Sequence, residues 1–434
     1  LMKKIKRALI SVSDKNNLKF LVNNLNKYKI KFISSGGTFK EIKRLGFHCE
    51  EVSKFTNSAE ILSGRVKTLH PKIYAGILAK RQSRLHKKDL KRNNYDEIDL
   101  VIVNFYPFES VIKKTKNNEK ILENIDIGGP TMVRAAAKNY KDVTVITNVS
   151  QYESLIKNMN QNKGATSLEF RKQTALEAFG ETAFYESLIY NYFSNASPNN
   201  FSKKIILGFK RFEKLRYGEN PHQKGAIYGK SDNLDLYKLN GKQLSYNNYN
   251  DIFAALQISK TFPNNKGTVI VKHGNPCGVS MHENKIESFM LAHKCDPVSA
   301  FGGIVSCNFI INKKLALELN KLFFEVIIGN GFDKDALSIL KRKKNVRLIN
   351  SENYKISNRN NFISNTEIAL IQNPDIKDFK YNDFKIVSKN KPNKKTFHNL
   401  IFAFHVCRFV KSNAIVLTNE TSTIGIGSGQ SSRL

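Results

Sequence analysis

Short apolar runs alternate with helix-like patterns along the first 150 residues of the chain. Each run is too short for a helix, and apolar residues recur at helical spacing between the runs. The strand-like runs are RALISV, IKFIS, LVIV at 100–103 and VTVIT at 143–147. Strands that alternate with helices form a parallel sheet covered on both faces, and ligands bind beyond the carboxyl ends of its strands. We therefore predict an α/β fold with binding residues in the loops after the strands.

A second α/β region follows a polar interval. Residues 150–193 are polar and helical in pattern without a strand signal, and 194–204 (SNASPNNFSKK) have the composition of a domain boundary. Strand-like runs resume at 268–272, 303–306 and 413–418, mixed with helical patterns. Because 434 residues exceed one ordinary core, we predict two domains, 1–199 and 200–434.

The chain is strongly basic, with 70 Lys and Arg against 37 Asp and Glu, a net charge of +33. A nucleic-acid partner would explain this charge. However, the basic residues are spread over the whole length together with abundant Asn, which favours a compositional drift. We predict no nucleic-acid partner, while an attraction for phosphorylated small molecules is expected in either case.

The apolar composition indicates where the protein works. Hydrophobic residues make up 41% of the chain and form no long uncharged stretch, so we expect no membrane partner. The basic first residues lack a cleavage site and lead into a strand, so we infer no signal peptide. Five cysteines, an odd number without a CxxC pair, favour a cytoplasmic location.

Polar, glycine-led segments follow the strands of the first half. SSGGT at 34–38 is either a phosphate-binding turn or a simple helix entry. GRVKTLHPK at 64–72 gathers cations, a hydroxyl and an imidazole, or is a solvated basic loop. NFYPF at 104–108 supplies Asn104 and Tyr106, and DIGGPTMVRAAAKN places Asp126 before a Gly-Gly turn and Lys138 farther along a helix. Together these groups suit proton transfer on a phosphorylated substrate, without metal-ligand spacing.

The segment VKHGNPCG at 271–278 follows an apolar run and admits three interpretations. A zinc deaminase needs PCxxC and HxE, but Pro276-Cys277 lacks the second cysteine. A nucleophilic Cys277 paired with His273 rests only on nearness in sequence. We favour an acid/base pair, in which Lys272 holds His273 neutral and stabilises negative charge on a carbonyl oxygen.

Further motifs in the second half carry a resemblance to a known family. The motifs are LRYGENPHQ (215–223), YNNYNDI (246–252), VKHGNPCG, CDPVSAFGGIV (295–305), FFEVIIGNGFDKDAL (323–337), KSNAIVLT and GIGSGQSSR. The chain resembles the bifunctional phosphoribosylaminoimidazolecarboxamide (AICAR) formyltransferase/IMP cyclohydrolase of purine biosynthesis. ISVSDK, SGGT, RVKTLHPK, NFYPF and DIGGPTMVRAAAKN match its cyclohydrolase half in the same order.

For the first half the resemblance implies a methylglyoxal-synthase-like (Rossmann-like) fold that closes formyl-AICAR to IMP and water. It implies that Lys138 is the proton donor/acceptor and that Lys67, Tyr106 and Asp126 orient the attacking amide and stabilise the oxyanion. The implied nucleotide contacts are Ser13, Asp14, Lys15, Ser35, Gly36, Gly37, Thr38, Arg65, Val66, Lys67, Thr68, Asn104, Phe105, Asp126 and Ile127.

For the second half the resemblance implies a cytidine-deaminase-like fold without zinc. It would transfer a formyl group from 10-formyltetrahydrofolate, as cosubstrate, to the amine of AICAR, with His273 as proton acceptor and Lys272 as its polarising neighbour. The implied AICAR and folate contacts are Arg216, Tyr217, Gly302, Glu325, Asn413 and Arg433. The family works as a homodimer with transformylase sites across the interface, and it needs no metal.

The chain departs from the family pattern at its end. Members continue past the GQxSR motif into a folate loop and a terminal arginine, whereas this sequence stops at Leu434. We expect either a fragment or an impaired transformylase that leaves only ring closure. Three rival functions remain at this stage: a non-enzymatic phosphate sensor, a nucleic-acid-binding protein and a zinc deaminase.

Overall fold

The computed structural model of the chain describes residues 2–195, 201–230, 234–356, 361–365 and 367–432. The chain divides into two compact units, Leu1–Gly208 and Phe209–Leu434. The boundary predicted at 199/200 lies outside the described residues and stays a prediction. Both units combine helices with sheets, so the predicted α/β class is confirmed.

The described residues of the first unit form seven strands and ten helices. Its strands are β1 (Lys3–Lys4), β2 (Arg7–Val12), β3 (Lys31–Ser34), β4 (Glu50–Glu51), β5 (Leu100–Asn104), β6 (Thr144–Ile146) and β7 (Ala165–Thr166). Its helices are α1 (Leu18–Asn26), α2 (Gly36–Arg44), α3 (Val52–Thr56), α4 (Pro71–Leu78), α5 (Arg84–Arg92), α6 (Phe108–Lys114), α7 (Asn118–Leu122), α8 (Gly128–Lys138), α9 (Tyr152–Gln161) and α10 (Leu168–Asn195), with 3₁₀ turns at Leu62–Gly64 and Val149–Gln151.

The four predicted strands are consecutive neighbours in a parallel five-stranded sheet, which has the order β4-β3-β2-β5-β6. They are continuous apolar runs because both faces of the sheet are covered. Helices α1, α2 and α9 pack on one face, and α4, α8 and α10 pack on the other. The interval 150–193 was predicted to lack strands, yet it contains β7, which pairs with β1. Two residues are too few to produce a sequence period.

In the second unit, the part of the chain that the structure describes forms twelve strands and six helices. Its strands are β8 (Lys210–Leu215), β9 (Gly225–Gly229), β10 (Tyr237–Asn240), β11 (Gly267–Lys272), β12 (Asn275–Met281), β13 (Ile304–Cys307), β14 (Val326–Gly329), β15 (Arg347–Asn350), β16 (Asn361–Asn365), β17 (Ile368–Gln372), β18 (Ile415–Asn419) and β19 (Ser422–Gly427). Its helices are α11 (Tyr246–Ser259), α12 (Lys285–Cys295), α13 (Pro297–Ala300), α14 (Lys313–Lys321), α15 (Lys334–Leu340) and α16 (Lys394–Cys407), with a 3₁₀ turn at Tyr381–Asp383.

An eight-stranded mixed sheet organises this unit, in the order β10-β15-β14-β13-β11-β12-β19-β18. Strands β13, β14 and β15 are parallel, and the other neighbouring pairs are antiparallel. Helices α11 and α16 cover one face, and α12, α14 and α15 cover the other. Two hairpins, β8–β9 and β16–β17, form separate two-stranded sheets.

Each unit has its own hydrophobic interior. The five clusters of buried apolar side chains found among the described residues each stay within one unit. In the same part of the chain, no helix combines the length and apolar composition required to cross a membrane.

Candidate active sites

The first candidate site lies where β2, β3 and β5 end. These strands are parallel, so their carboxyl ends share one edge of the sheet, as predicted for the binding loops. The Asn104 side chain joins two of the loops: its Nδ2 donates to the Asp14 carbonyl at 3.0 Å, and its Oδ1 accepts from the Asp14 N–H at 2.9 Å. Asn104 therefore fixes the loop after β2 against the end of β5.

The SSGGT segment forms the entry to α2. Gly36 has φ 53, a left-handed conformation that favours glycine. Thr38 is 4% exposed, and its hydroxyl accepts from the Val12 N–H and donates to the Val12 carbonyl, both at 3.0 Å. Since this hydroxyl proton is used inside the fold, an anion here would be bound by the backbone N–H groups at the start of α2.

Two lysine side chains lie next to this helix start. A Cβ placed on Gly36 would lie 3.4 Å from Lys67 Nζ, and one placed on Gly37 would lie 3.6 Å from Lys15 Nζ. Lys67 Nζ is also 3.3 Å from Glu60 Oε2. Two ammonium groups beside a helix amino terminus attract a phosphate both by charge and by hydrogen bonding.

Asp126 and its neighbours form a second part of the same site. Asp126 Oδ1 accepts from the Gly129 N–H at 2.8 Å, and the Asp126 N–H donates to Tyr185 Oη at 2.9 Å. Burial raises the pKa of Asp126, although hydrogen bonds from the backbone N–H groups of Gly129 and Tyr106 partly offset this effect. The Tyr106 backbone and the Asp126 carboxylate are therefore together, and the carboxylate is a stronger base than an exposed one.

The segment that carries Lys67 also reaches the start of α8, next to Asp126. A Cβ on Gly128 would lie 2.6 Å from Thr68 Oγ1, which places Thr68 beside the beginning of α8. Arg65 forms an ion pair with Glu123, and Val66 forms an isolated bridge with Ile61. The remaining predicted residues lie in these loops: Ser13 after β2, Ser35 before α2, Phe105 after β5 and Ile127 before α8.

Lys138 does not join this group. It is the last of the eleven residues of α8, whereas Asp126 precedes the first. With a rise of about 1.5 Å per residue, the two ends of α8 are about 15 Å apart. Within one chain the structure does not bring Lys138 to Asp126, and the role assigned to Lys138 stays a prediction.

The second candidate site surrounds Glu325, at the start of β14. Glu325 Oε2 accepts from Asn248 Nδ2 at 2.9 Å and lies 3.5 Å from Arg347 Nη1. The Gly302 turn is adjacent, because the Glu325 N–H donates to the Gly303 carbonyl at 3.0 Å. Gly302 has φ 74 and so needs the left-handed freedom of glycine.

Arg347 connects Glu325 to the predicted residues Arg216 and Tyr217. Burial lowers the pKa of the Arg347 guanidinium, Glu325 opposes that change, and Arg216 adds to it by charge repulsion. The Arg216 guanidinium lies 5.6 Å from the centre of the Tyr217 ring. Arg347 Nε is buried without a hydrogen-bond partner among the described residues. Cations around one carboxylate suit the recognition of a polar anionic substrate.

Lys272 and His273 have different neighbours, and their joint role stays a prediction. Lys272 Nζ donates to the Phe301 carbonyl at 2.7 Å. His273 instead lines an open cavity of about 490 Å³ with Asn250 and the loop at 408–411. His273 follows the last residue of β11 and has φ 53. Its side chain therefore does not follow the pattern in which successive side chains of a strand point to opposite faces of the sheet.

Asn413 is not placed beside Glu325. Asn413 Nδ2 donates to the Gln430 carbonyl at 3.1 Å, just before β18. Strand β18 is five strands from β14 in the sheet order, a separation of about 24 Å at ~4.8 Å per strand. Arg433 lies outside the described residues.

The interpretation of Cys277 as a nucleophile finds no support in the geometry. Burial raises the pKa of Cys277 to about 12, and its Sγ donates to the Ile270 carbonyl at 3.5 Å. A thiol with that pKa is a poor nucleophile at neutral pH, so Cys277 is a packing residue. In the part of the chain that the structure describes, no three His, Cys, Asp or Glu side chains form a group able to hold a metal ion.

Three residues of the second site were not predicted: Asn248, Asp251 and Arg347. Asn248 and Asp251 are three apart on α11, which places them on one helix face, and both occur in the YNNYNDI motif. Arg347, the first residue of β15, is 8% exposed and lies between the buried apolar residues Val346 and Leu348. A charged residue inside an apolar strand is a signal that could have found Arg347.

Comparisons with known proteins match both units. The MGS-like domain model matches residues 17–131, and the AICARFT/IMPCHase bienzyme model matches residues 136–434.

Three relatives are each described as "bifunctional purine biosynthesis protein PurH". That of Thermoanaerobacter sp. (strain X514) is 42% identical over 99% of this chain and 85% of its own length. That of Leptospira biflexa serovar Patoc is 42% identical over 100% of this chain and 85% of its own length. That of Fusobacterium nucleatum subsp. nucleatum is 43% identical over 99% of this chain and 84% of its own length.

The similarity is continuous along the chain. Because it includes the second unit, it does not favour the alternative in which only ring closure is retained. A solved chain described as ForH is 28% identical over 44% of this chain and 99% of its own, with a TM-score of 0.40 that is too low to bear on the fold.

Proposed function

Because the chain belongs to the AICARFT/IMPCHase bienzyme family, we propose that it catalyses the last two steps of IMP biosynthesis, one step in each unit. The second unit transfers a formyl group from 10-formyltetrahydrofolate to AICAR, and the first closes formyl-AICAR to IMP. The observation that carries this division is that each unit has its own polar site at the ends of its strands, with Lys15, Lys67 and Asp126 in the first unit and Asn248, Glu325 and Arg347 in the second.

Ring closure is assigned to the edge of the first sheet. The carboxamide nitrogen of formyl-AICAR adds to the formyl carbon and loses one proton, the formylated amine nitrogen loses a second, and the former formyl oxygen leaves with both as water. Lys15, Lys67 and the N–H groups at the start of α2 hold the phosphate. Asp126, whose pKa is raised by burial, accepts the amide proton at its carboxylate.

Lys138 is retained as the proposed proton donor/acceptor. Its distance from Asp126 within one chain makes the two roles separable by mutation. The protein is incubated with formyl-AICAR in the absence of folate, and IMP formation is followed for the wild-type chain and for Lys138→Ala. The exposed Lys141, three residues on, gives the matched control Lys141→Ala. Turnover that is unchanged in Lys138→Ala would refute its assigned role.

Formyl transfer is assigned to the second sheet. The amine of AICAR attacks the formyl carbon, a new C–N bond forms, and the bond from that carbon to N10 of the folate breaks. His273 accepts the amine proton, which ends on N10 of tetrahydrofolate. Glu325 and Arg216 bind AICAR, while the bond of Lys272 to the Phe301 carbonyl holds its ammonium beside the Gly302 turn. Mixing AICAR with 10-formyltetrahydrofolate and the chain should yield formyl-AICAR and then IMP.

The active protein is proposed to be a homodimer. The β16–β17 hairpin exposes Ile363 by 69%, Ile368 by 70% and Leu370 by 67%, and an isolated hairpin is marginally stable in water. A second copy of the chain would cover this apolar surface. The distance between Asn413 and Glu325 within one sheet supports a site that takes Asn413 from the neighbouring copy.

Subunit mixing tests this arrangement. His273→Ala and Asn413→Ala are each expected to lose formyl transfer. If the site spans two copies, a mixture of the two variants contains dimers in which one site is intact, and activity returns. Activity that stays absent, in a mixture shown by mass to exchange subunits, would contradict a shared site.

We also propose a cytoplasmic location. All five cysteines are free thiols, which a reducing compartment preserves. Fractionation of cells that express the tagged chain would test this location.

A further inference from the structure

We propose that Asp251 is a positioning residue for formyl transfer, because its carboxylate holds the turn that presents His273. The inference rests on the proposed function of the second unit. It concerns a side chain that neither binds substrate nor carries the transferred proton.

The contacts are direct and use both carboxylate oxygens. The His273 N–H donates to Asp251 Oδ2 at 3.2 Å, and the Gly274 N–H donates to Asp251 Oδ1 at 2.6 Å. Asp251 lies on α11, whose buried face packs against the sheet through Ile252 and Leu256. The carboxylate is therefore anchored on a rigid helix, and the turn depends on it.

The turn needs such a support because its backbone is strained. His273 has φ 53 and Gly274 has φ 75, so two successive residues are left-handed. Glycine adopts this conformation freely, but for histidine it costs free energy. A conformation of this kind persists only where the surroundings fix it, and such residues cluster at active sites.

Helix α11 also holds the substrate-binding carboxylate. Asn248, one turn before Asp251, donates from Nδ2 to Glu325 Oε2 at 2.9 Å. Asp251 and Glu325 are close enough for their charges to interact, and burial raises the pKa of Asp251. One face of α11 thus sets the proposed proton acceptor and the proposed AICAR-binding residue relative to each other.

The test compares Asp251→Asn with a matched control, Asp333→Asn. Asp333 also accepts two backbone N–H groups through separate oxygens, from Lys313 at 3.0 Å and from Ala336 at 2.6 Å, but at the start of α15. An asparagine keeps only one acceptor oxygen, so each variant loses one bond. We expect Asp251→Asn to lower kcat for formyl transfer about tenfold or more and to leave ring closure of formyl-AICAR unchanged. Asp333→Asn should change neither rate.

A double-mutant cycle separates positioning from general structural support. His273→Ala keeps the backbone N–H groups but removes the imidazole. If Asp251 acts through His273, adding Asp251→Asn to His273→Ala will reduce formyl transfer no further. Equal losses in the presence and absence of the imidazole would overturn the proposal, as would an Asp251→Asn chain with wild-type kcat.

Amide hydrogen exchange gives a readout that does not depend on turnover. Asp251→Ala should speed exchange at Gly274 about tenfold, and Asp333→Ala should not. Unchanged Gly274 exchange would overturn the inference whatever the activity. By contrast, absence of formyl transfer in the wild-type chain would contradict the proposed function, and the exchange measurement would still decide whether Asp251 holds the turn.

Discussion

The two units place their candidate sites differently with respect to their sheets. In the first unit all strands that lead into the site are parallel, so the loops after β2, β3 and β5 meet at one edge. In the second unit the site joins the carboxyl end of β11 to the amino ends of β13 and β14, because β11 and β13 are antiparallel. The rule that ligands bind beyond strand carboxyl ends therefore locates the first site but only part of the second.

The largest expected effects test whether the two sites work independently. Asp126→Asn should lower kcat for ring closure by about 10²–10⁴ and leave formyl transfer intact, because it removes a base only from the first unit. His273→Ala should have the opposite pattern. Both rates are measured on each variant, by IMP formation from formyl-AICAR and by tetrahydrofolate release. A variant that loses both activities would contradict the assignment of one chemistry to each unit.

A smaller effect on activity is expected for substitution of Arg347, a residue of the second site. Arg347→Met keeps the length of the side chain but removes the charge that faces Glu325 at 3.5 Å. Because Glu325 is partly exposed to water, we expect a KM for AICAR about tenfold higher and no change in ring closure. The matched variant Arg342→Met, after the end of α15, should keep the wild-type KM. An unchanged KM in Arg347→Met would remove Arg347 from the AICAR site.

A weaker effect is expected at the first site's phosphate position. Lys15→Met removes one of two ammonium groups beside the start of α2, and Lys15 is exposed to solvent. We expect the KM for formyl-AICAR to rise about two- to fivefold, less at high salt. Lys19→Met, on the exposed side of α1, is the control. A KM that does not depend on salt would argue against phosphate binding by Lys15.

The smallest expected effect concerns stability and pH. Burial lowers the pKa of His293 and His405 below the ordinary value of 6.5. The unfolded chain therefore binds more protons than the folded second unit below pH 6.5, and stability present above that pH is lost as the pH falls. Hydrogen exchange at pH 7.5 and 5.5 should show the loss in the second unit. His405→Gln should reduce this loss of stability at low pH, and the exposed His398→Gln should not. An equal dependence of stability on pH in the two variants would contradict an origin in His405.

The sequence predicted the scaffold of the first unit well because its strands are buried on both faces. Runs such as LVIV have no other stable environment, and polar residues that follow them, such as Asn104, necessarily lie at the sheet edge. The distance between Asp126 and Lys138 could also have been inferred, since a single predicted helix separates them. The motif DIGGPTMVRAAAKN suggested that Asp126 and Lys138 belong to one site. The rise along α8 keeps the two residues apart within one chain.

The arrangement of the second site could not be predicted in the same way. Asp251 acts on backbone N–H groups 22 and 23 residues away, and such contacts leave no period or spacing in a sequence. The adjacent positions of Lys272 and His273 suggested a joint role. The left-handed turn sends their side chains to different neighbours, and nothing in VKHGNPCG other than its glycines indicates that turn.

Each buried apolar cluster found among the described residues is confined to one unit, and this confinement has a genetic consequence. A substitution that disrupts the packing of one interior is expected to spare the other, so we expect mutations to remove the two activities separately. Two alleles that are damaged in different units would restore purine prototrophy when they are carried by the same cell.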